Sequence, residues 1–363
     1  MMKVGVFIPI GSRGWLMSTT APETFPTYDL NRELVQRAEH YGLDFALSMI
    51  KFRGMKGPSE FWVHALESFT LMSAIAAVTK RIQLFASVGV LTMPPPLTAR
   101  MAVTIDSVAP GRFGINIVSG WQPTEYKQMG LWPGEEHFAR RYEYCGEYVQ
   151  VMQELWQTGH SDFKGDFFRM EDCVLSPRPS APIPIVGAGM SERGLDFVAH
   201  HADYNFCLGA TTGVINDPAT FAPTVGRLMA ASQKTGRKVG ALVLVMVIAA
   251  ETDEDAFARW ELYKSGIDME AWASREDQAA ADKAASANST AGRMLRADKT
   301  LPTNMTMFIG SYANVARMLD EIGEIEGVGG VMMTFDDFLP GMEQFGARIQ
   351  PLMKTRAHIQ TGA

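Results

Sequence analysis

Short apolar runs alternate with amphipathic helical stretches along nearly the whole chain, and that alternation restricts the fold more than any other feature. Residues 4–8, 45–49, 82–88, 113–118, 183–186, 204–207, 241–248 and 330–335 read as strands. Helical periodicity falls at 30–41, 64–78, 97–108, 139–156, 192–200, 217–233, 253–264, 312–322 and 341–353. Strand-then-helix units repeated in this way predict a parallel sheet. Eight of them in 363 residues predict a closed (β/α)8 TIM barrel, with an open doubly wound sheet as the alternative. The expectation is a single barrel domain over residues 1–363 with insertions near 11–29, 161–181 and 272–304. Long loops of this kind are lids, binding loops or disordered segments, and the last, alanine-rich one is expected to be a partly helical excursion that can close over a site.

Composition narrows the partners. The chain is 47% hydrophobic and 20% charged, with a net charge of −7 and no basic stripe, which argues against nucleic acid and anionic membranes. Its three cysteines are scattered and its seven histidines form no H-x-x-x-H pair, so neither a disulfide framework nor a zinc site is expected. The 4–8 run is too short for a signal peptide, and no apolar run reaches membrane-spanning length. A reducing, cytoplasmic setting is the expectation, with a homo-oligomer possible.

The most informative stretch is Gly-Arg-Phe-Gly-Ile-Asn-Ile-Val-Ser-Gly-Trp at 111–121. Asn116 interrupts the alternation of a buried strand, and a mid-strand amide is costly to bury without a partner. Polar groups where a parallel strand stops are the material of a barrel active site; the plain alternative is a core strand with one satisfied amide. Ser191 opens a predicted helix between Gly189 and Gly194. It reads either as an anion site on free backbone N–H groups or as an ordinary N-cap. No strand runs into a G-x-G-x-x-G turn, so no dinucleotide site is expected. Trp15, Phe52, Trp121 and the 23 methionines read as core filling. Asp336 and Asp337 are adjacent at a strand end and point apart, which makes a shared acid–base role improbable.

Together with the 111–121 motif, Arg141-Tyr142, Glu147, Leu155-Trp156, Ser176-Pro-Arg-Pro179, the run Ala188-Gly-Met-Ser-Glu-Arg-Gly194 and Ala202-Asp203 occur in an order and spacing that resemble the bacterial-luciferase-like flavin monooxygenases. The resemblance spans the chain. Phe45-Ala-Leu-Ser-Met-Ile-Lys51 and Thr334-Phe-Asp-Asp-Phe338 are similar to the branch that attacks pyrimidines in bacterial uracil catabolism. It implies a barrel that binds reduced FMN non-covalently and uses O2 to open the ring of uracil, and of thymine, to a ureidoacrylate-type product. NADH enters only through a separate flavin reductase. The alternatives are a two-component FMN enzyme acting on a sulfone, amine or aldehyde, a deazaflavin-dependent hydride-transfer enzyme, and a flavin-binding barrel without turnover.

Carried over residue by residue, the resemblance implies FMN contacts at Ile50, Lys51, Asn116, Glu125, Arg141, Tyr142 and Ser191. Arg141 and Ser191 would take the phosphate, with the Tyr142 hydroxyl beside them. Lys51 would face the reduced flavin ring and Glu125 a ring N–H. Asn116 and Ser87 are the candidates for the oxygen pocket and hence for catalysis. Ser87 lies near the place where this superfamily often carries a non-proline cis peptide.

Overall fold

The computed structural model describes residues 2–359. Strands built from Val, Ile, Leu, Met and Phe bury both faces, as a parallel sheet covered by helices requires. They are β1 (Lys3–Ile8), β2 (Phe45–Ser48), β3 (Gln83–Gly89), β4 (Phe113–Val118), β5 (Ile185–Gly187), β6 (Tyr204–Cys207), β7 (Gly240–Ala250) and β8 (Val328–Phe335). Each pairs in parallel with the next, and β8 closes on β1 through Lys3 opposite Gly330 and Val6 opposite Met333. The result is the predicted closed eight-stranded barrel.

Helices α1 (Tyr28–His40), α2 (Ser68–Ala77), α3 (Pro95–Val108), the five-residue α4 (Pro123–Lys127), α5 (Glu136–Thr158), α6 (Glu192–His201), α7 (Ala222–Thr235) and α8 (Asp253–Ser265) follow in order. Then come α9 (Met269–Ala280), α10 (Thr290–Leu295), α11 (Tyr312–Gly323) and α12 (Phe338–Gln344). Their starts are chemically marked. Thr27 caps α1 by accepting from the Leu30 N–H at 3.1 Å, and Ser191 caps α6 by accepting from the Gly194 N–H at 3.2 Å. The helix expected from residue 64 begins only at Ser68, because the Glu67 carboxylate accepts from the Phe69 and Thr70 N–H groups and fixes the start there.

A ninth strand, Thr306–Ser311, was not anticipated. It exists because β7 outruns its neighbour. β6 pairs only with Gly240–Val243, and the exposed ladder from Val245 to Ala250 pairs with Thr306–Ser311 instead. Among the described residues no helix is long and apolar enough to cross a membrane.

The three insertions do different work. The 161–181 stretch packs beside α5, with Asp166 2.6 Å from Arg140. It forms a small hairpin, His160–Ser161 with Cys173–Val174, on the flank of α5. There the Glu147 carboxylate accepts from the Asp166, Phe167 and Phe168 N–H groups. The 11–29 segment buries Trp15, Leu16 and Met17 and ties the other loops together, with the Met17 N–H donating to Pro302 O at 2.7 Å. The 272–304 excursion is helical in α9 and α10, as expected. Asp268 anchors it, accepting from the Ala271 N–H at 2.9 Å and from the Ser59 N–H at 2.8 Å.

Candidate active site

A cavity of about 170 Å³ lies at the carboxyl ends of the strands, covered by Thr290 of the last insertion. Five of the predicted residues line it: Ile50, Ser87, Asn116, Arg141 and Tyr142. Phe7, Met49 and Trp121 are part of its apolar wall. Trp121, read from sequence as core filling, is therefore part of the site. Its amphipathic position just past a strand end was the available signal.

Asn116 and Ser87 are partners by register, since β3 and β4 place them opposite one another. The Asn116 amide Nδ2 donates to Ser87 Oγ at 2.8 Å, and Ser87 Oγ donates in turn to the Ser48 carbonyl at 2.5 Å. The Ser87 N–H is held by Ser68 Oγ at 2.8 Å. Asn116 is 5% exposed, and its Oδ1 has no hydrogen-bond partner. One side of the amide is thus anchored while the other presents a bare acceptor beside the cavity. A buried acceptor left bare costs about 1–3 kcal/mol, so the arrangement calls for a donor from a ligand. The sequence left open whether a cis peptide lies near Ser87; among the described residues the cis bond is Ser176–Pro177.

A wider cleft of about 530 Å³ shares Arg141 and Tyr142 with the first cavity and adds Ser191, Arg193 and Arg227. Ser191 sits at the N-terminus of the ten-residue α6, where backbone N–H groups and the helix dipole favour an anion. Gly189 permits this turn. A Cβ there would meet Gly194 O at 2.2 Å, so the loop and the helix start approach closer than any side chain allows. Arg141 is 6% exposed and paired through Nη1 with Asp282 Oδ2 at 3.0 Å, while its Nε has no partner. Asp282 comes from the last insertion and was not foreseen; nothing in its sequence context distinguishes it. Arg140, the adjacent arginine, points outward to Glu143 at 2.8 Å and Asp166 at 2.6 Å, as expected for neighbours on a helix. Burial pushes the Tyr142 hydroxyl above its ordinary value, and the Arg141 charge opposes this, so the phenol is a neutral donor.

Lys51 and Glu125 are brought together, but not onto the cavity wall. They form a buried ion pair, and Lys51 also donates to Gln122 Oε1. Both are at most 6% exposed, which excludes the solvated loop lysine and the surface glutamate their sequence context allowed. The Lys51 ammonium lies 5.0 Å over the Trp62 ring. Burial lowers its affinity for a proton, and the Glu125 carboxylate opposes that shift. Gln122 donates to Gln278 Oε1 of α9 at 2.5 Å, so this polar cluster reaches from β2 into the last insertion. Asp336 and Asp337 do not act as a pair. Asp336 is buried and accepts from Tyr263 Oη at 2.8 Å, with Arg259 at 3.3 Å. Among the described residues no group of three or more His, Cys, Asp and Glu side chains is placed to hold a metal.

His137 was not anticipated either. Its Nε2–H donates to the Ser119 carbonyl at 2.7 Å and pins the end of β4, where Ser119 and Trp121 face the cavity. Burial lowers its pKa, and the nearby Arg141 charge adds to this, so the folded protein holds it neutral. The unfolded chain protonates it near pH 6.5, so acid favours unfolding, and the stability of the neutral ring is lost as pH falls below about 6.5. His137→Gln keeps a donor but cannot titrate. Denaturant titrations at pH 5 and pH 7 are expected to show a smaller acid loss in the variant, by up to about 1.4 kcal/mol per pH unit across the affected window. Equal losses would mean His137 does not titrate there.

The barrel and its mouth-side cavity have the architecture of a (β/α)8 enzyme, and the comparison with known families agrees. The model of the luciferase-like monooxygenase family matches residues 2–328, and the chain belongs to that family. Pyrimidine monooxygenase RutA of Allorhizobium ampelinum is 62% identical over 358 residues, covering 98% of this chain and 97% of its own. The protein of the same name from Escherichia coli K12 is 55% identical over 359 residues, covering 99% and 93%. Among solved structures, a riboflavin lyase with modified FMN and riboflavin superposes with a TM-score of 0.83 at 18% identity, covering 100% of this chain and 93% of its own. The long-chain alkane monooxygenase LadA gives 0.79 at 19%, covering 99% and 92%. At those identities the likeness is one of fold.

Proposed function

We propose that the chain is a flavin-dependent monooxygenase that opens the ring of uracil, and of thymine, to a ureidoacrylate-type product, using O2 and reduced FMN supplied by a separate reductase. The observation that carries the flavin site is a pair of buried polar atoms without partners, Asn116 Oδ1 and Arg141 Nε, belonging to residues that line one cavity. An acceptor at one end and a cationic donor at the other suit a ligand with a ring N–H and a phosphate. The pyrimidine assignment is supported by relatives at 55–62% identity over nearly the whole chain.

FMN, when bound, supplies the electrons that make O2 reactive towards the substrate. The protein's share is placement and exclusion of water. Arg141, the α6 N-terminus with Ser191, and the Tyr142 hydroxyl hold the phosphate end. Ile50, Met49 and Phe7 give the ring an apolar bed, and Trp121 and Thr290 cover it. Asn116, fixed through Ser87 to the backbone of β2, holds the amide oxygen still at the reacting edge. Lys51 and Glu125, paired with each other off the cavity wall, hold Gln122 and through it Gln278 of the covering insertion in place.

The test is conversion of uracil, followed by mass analysis, with chemically reduced FMN in air and under anaerobic conditions. Conversion is expected only with both reduced FMN and O2, and NADH alone is expected to give none. Equal anaerobic conversion would replace this reading with a hydride-transfer or hydrolytic one, and FMN binding without any product would leave a barrel that only carries flavin.

A further inference from the structure

A buried cation that the flavin reading leaves unused is Arg275. It lies on α9, is 8% exposed, and its pKa is pushed down to about 9 by burial, with no carboxylate paired to it. Its Nε has no partner, and the contact made by Nη1 is the Met17 sulfur at 4.0 Å. The guanidinium lies 5.1 Å from the Trp62 ring and 5.8 Å from Phe61. Ring faces alone do not compensate for stripping water from a cation, so a chain that keeps one buried here retains a cost.

A second orphaned donor belongs to the same aromatic cluster. Trp15 Nε1 is buried without an acceptor. Trp15 meets Trp62 edge-on at 5.2 Å and stacks on Phe7 at 4.5 Å, and Phe7 lines the cavity. One turn along α9 from Arg275, Gln278 accepts from Gln122, which accepts from Lys51. Arg275 and the Lys51–Glu125 pair thus belong to one buried cluster, and its formal charges, two positive and one negative, sum to +1. Both orphans in this cluster are donors, so the missing group is an acceptor, and the charge sum favours one that is or becomes anionic.

We propose that Arg275, together with the Trp15 indole N–H, determines substrate specificity by binding the oxygen-bearing end of the pyrimidine: a ring carbonyl before opening and the carboxylate after it. The inference rests on the pyrimidine reading above. A planar dione brings acceptors to both donors, and the guanidinium fork matches the two oxygens of the carboxylate that opening creates. The side chains on this side are yielding ones. Met17 touches Arg275, and Met55 Sδ lies 3.4 Å from Gln278 Nε2. Unbranched thioethers repack at low cost when a guest displaces them. Because the insertion supplies Arg275, the selecting group arrives with the element that covers the site.

Arg275→Met and Arg275→Lys in the full chain test this with three readouts: FMN affinity, thermal midpoint, and binding of uracil and of 3-ureidopropanoate to the FMN-loaded protein. The methionine variant is expected to keep FMN affinity and to hold or raise its midpoint, since an unpaired buried charge has gone. It should lose uracil affinity by tenfold or more and 3-ureidopropanoate affinity by a larger factor. In turnover KM should rise with kcat little changed. Lysine should recover part of the loss, and it carries the test if the methionine variant fails to fold. A lowered midpoint with uracil affinity intact would make Arg275 structural, and weakened FMN with uracil intact would make it a flavin contact; either overturns the proposal. If the unmodified protein binds FMN but not uracil, the pyrimidine reading has failed and the proposal falls with it.

Discussion

Arg141→Ala is expected to weaken FMN binding by about a hundredfold while leaving riboflavin, which lacks the phosphate, nearly unaffected. A charge-assisted contact to phosphate contributes roughly 1.5–3 kcal/mol, and a guanidinium with a free Nε has room for more than one. The substitution also strands Asp282, 4% exposed, without its cation. An uncompensated buried carboxylate costs about 3–5 kcal/mol and repels the phosphate as well. The double variant Arg141→Ala with Asp282→Ala separates these effects. It should regain much of the stability and little of the FMN affinity. The measurement is fluorescence quenching of FMN and of riboflavin by each variant, beside the thermal midpoint. Equal losses for the two flavins would move the phosphate away from Arg141.

The proposed phosphate end could be read from the sequence because it is local. Ser191 with Gly189 and Gly194 is a helix start whose meaning is carried by neighbouring residues, and Arg141-Tyr142 is contiguous. Asn116 was legible for a different reason: an amide in an apolar strand violates the pattern around it, and such violations collect at functional sites. Asp282, Gln278 and Arg275 offered no such contrast. They lie in a polar, alanine-rich stretch where charged residues are unremarkable, and only the folding of α9 across the barrel mouth buries them. The same non-locality explains the unforeseen strand at Thr306–Ser311. It is a strand because β7 extends past β6, which is a property of two distant segments rather than of residues 306–311. Conversely, the aromatic-rich 161–181 loop invited a lid or binding-loop reading from composition, yet Phe167 and Phe168 pack on Tyr144 of α5, at 5.2 and 4.8 Å, and no residue of the loop lines the cavity.

Asn116→Val is expected to leave the fold intact and to divert the chemistry. Valine suits a buried strand. It removes the unpartnered Oδ1 as well as the bond from Nδ2 to Ser87. Ser87 keeps its own donation to the Ser48 carbonyl, so no new donor is stranded. Losing one neutral hydrogen bond and one orphaned acceptor offset one another to within about 1 kcal/mol, so the thermal midpoint should shift by only a few degrees. Turnover should respond differently. Without a fixed amide oxygen at the edge of the cavity, the reduced flavin will still consume O2, but the oxygen will appear as hydrogen peroxide instead of product. Removing one preorganised polar group from a reacting centre typically costs a factor of about 100 or more, so product formed per O2 consumed should fall by at least tenfold. Peroxide release and uracil loss measured in the same reaction give that ratio directly. Full coupling together with a collapsed midpoint would show that the amide serves only to join β4 to β3, and the reacting edge of the site would have to be sought elsewhere along the cavity wall.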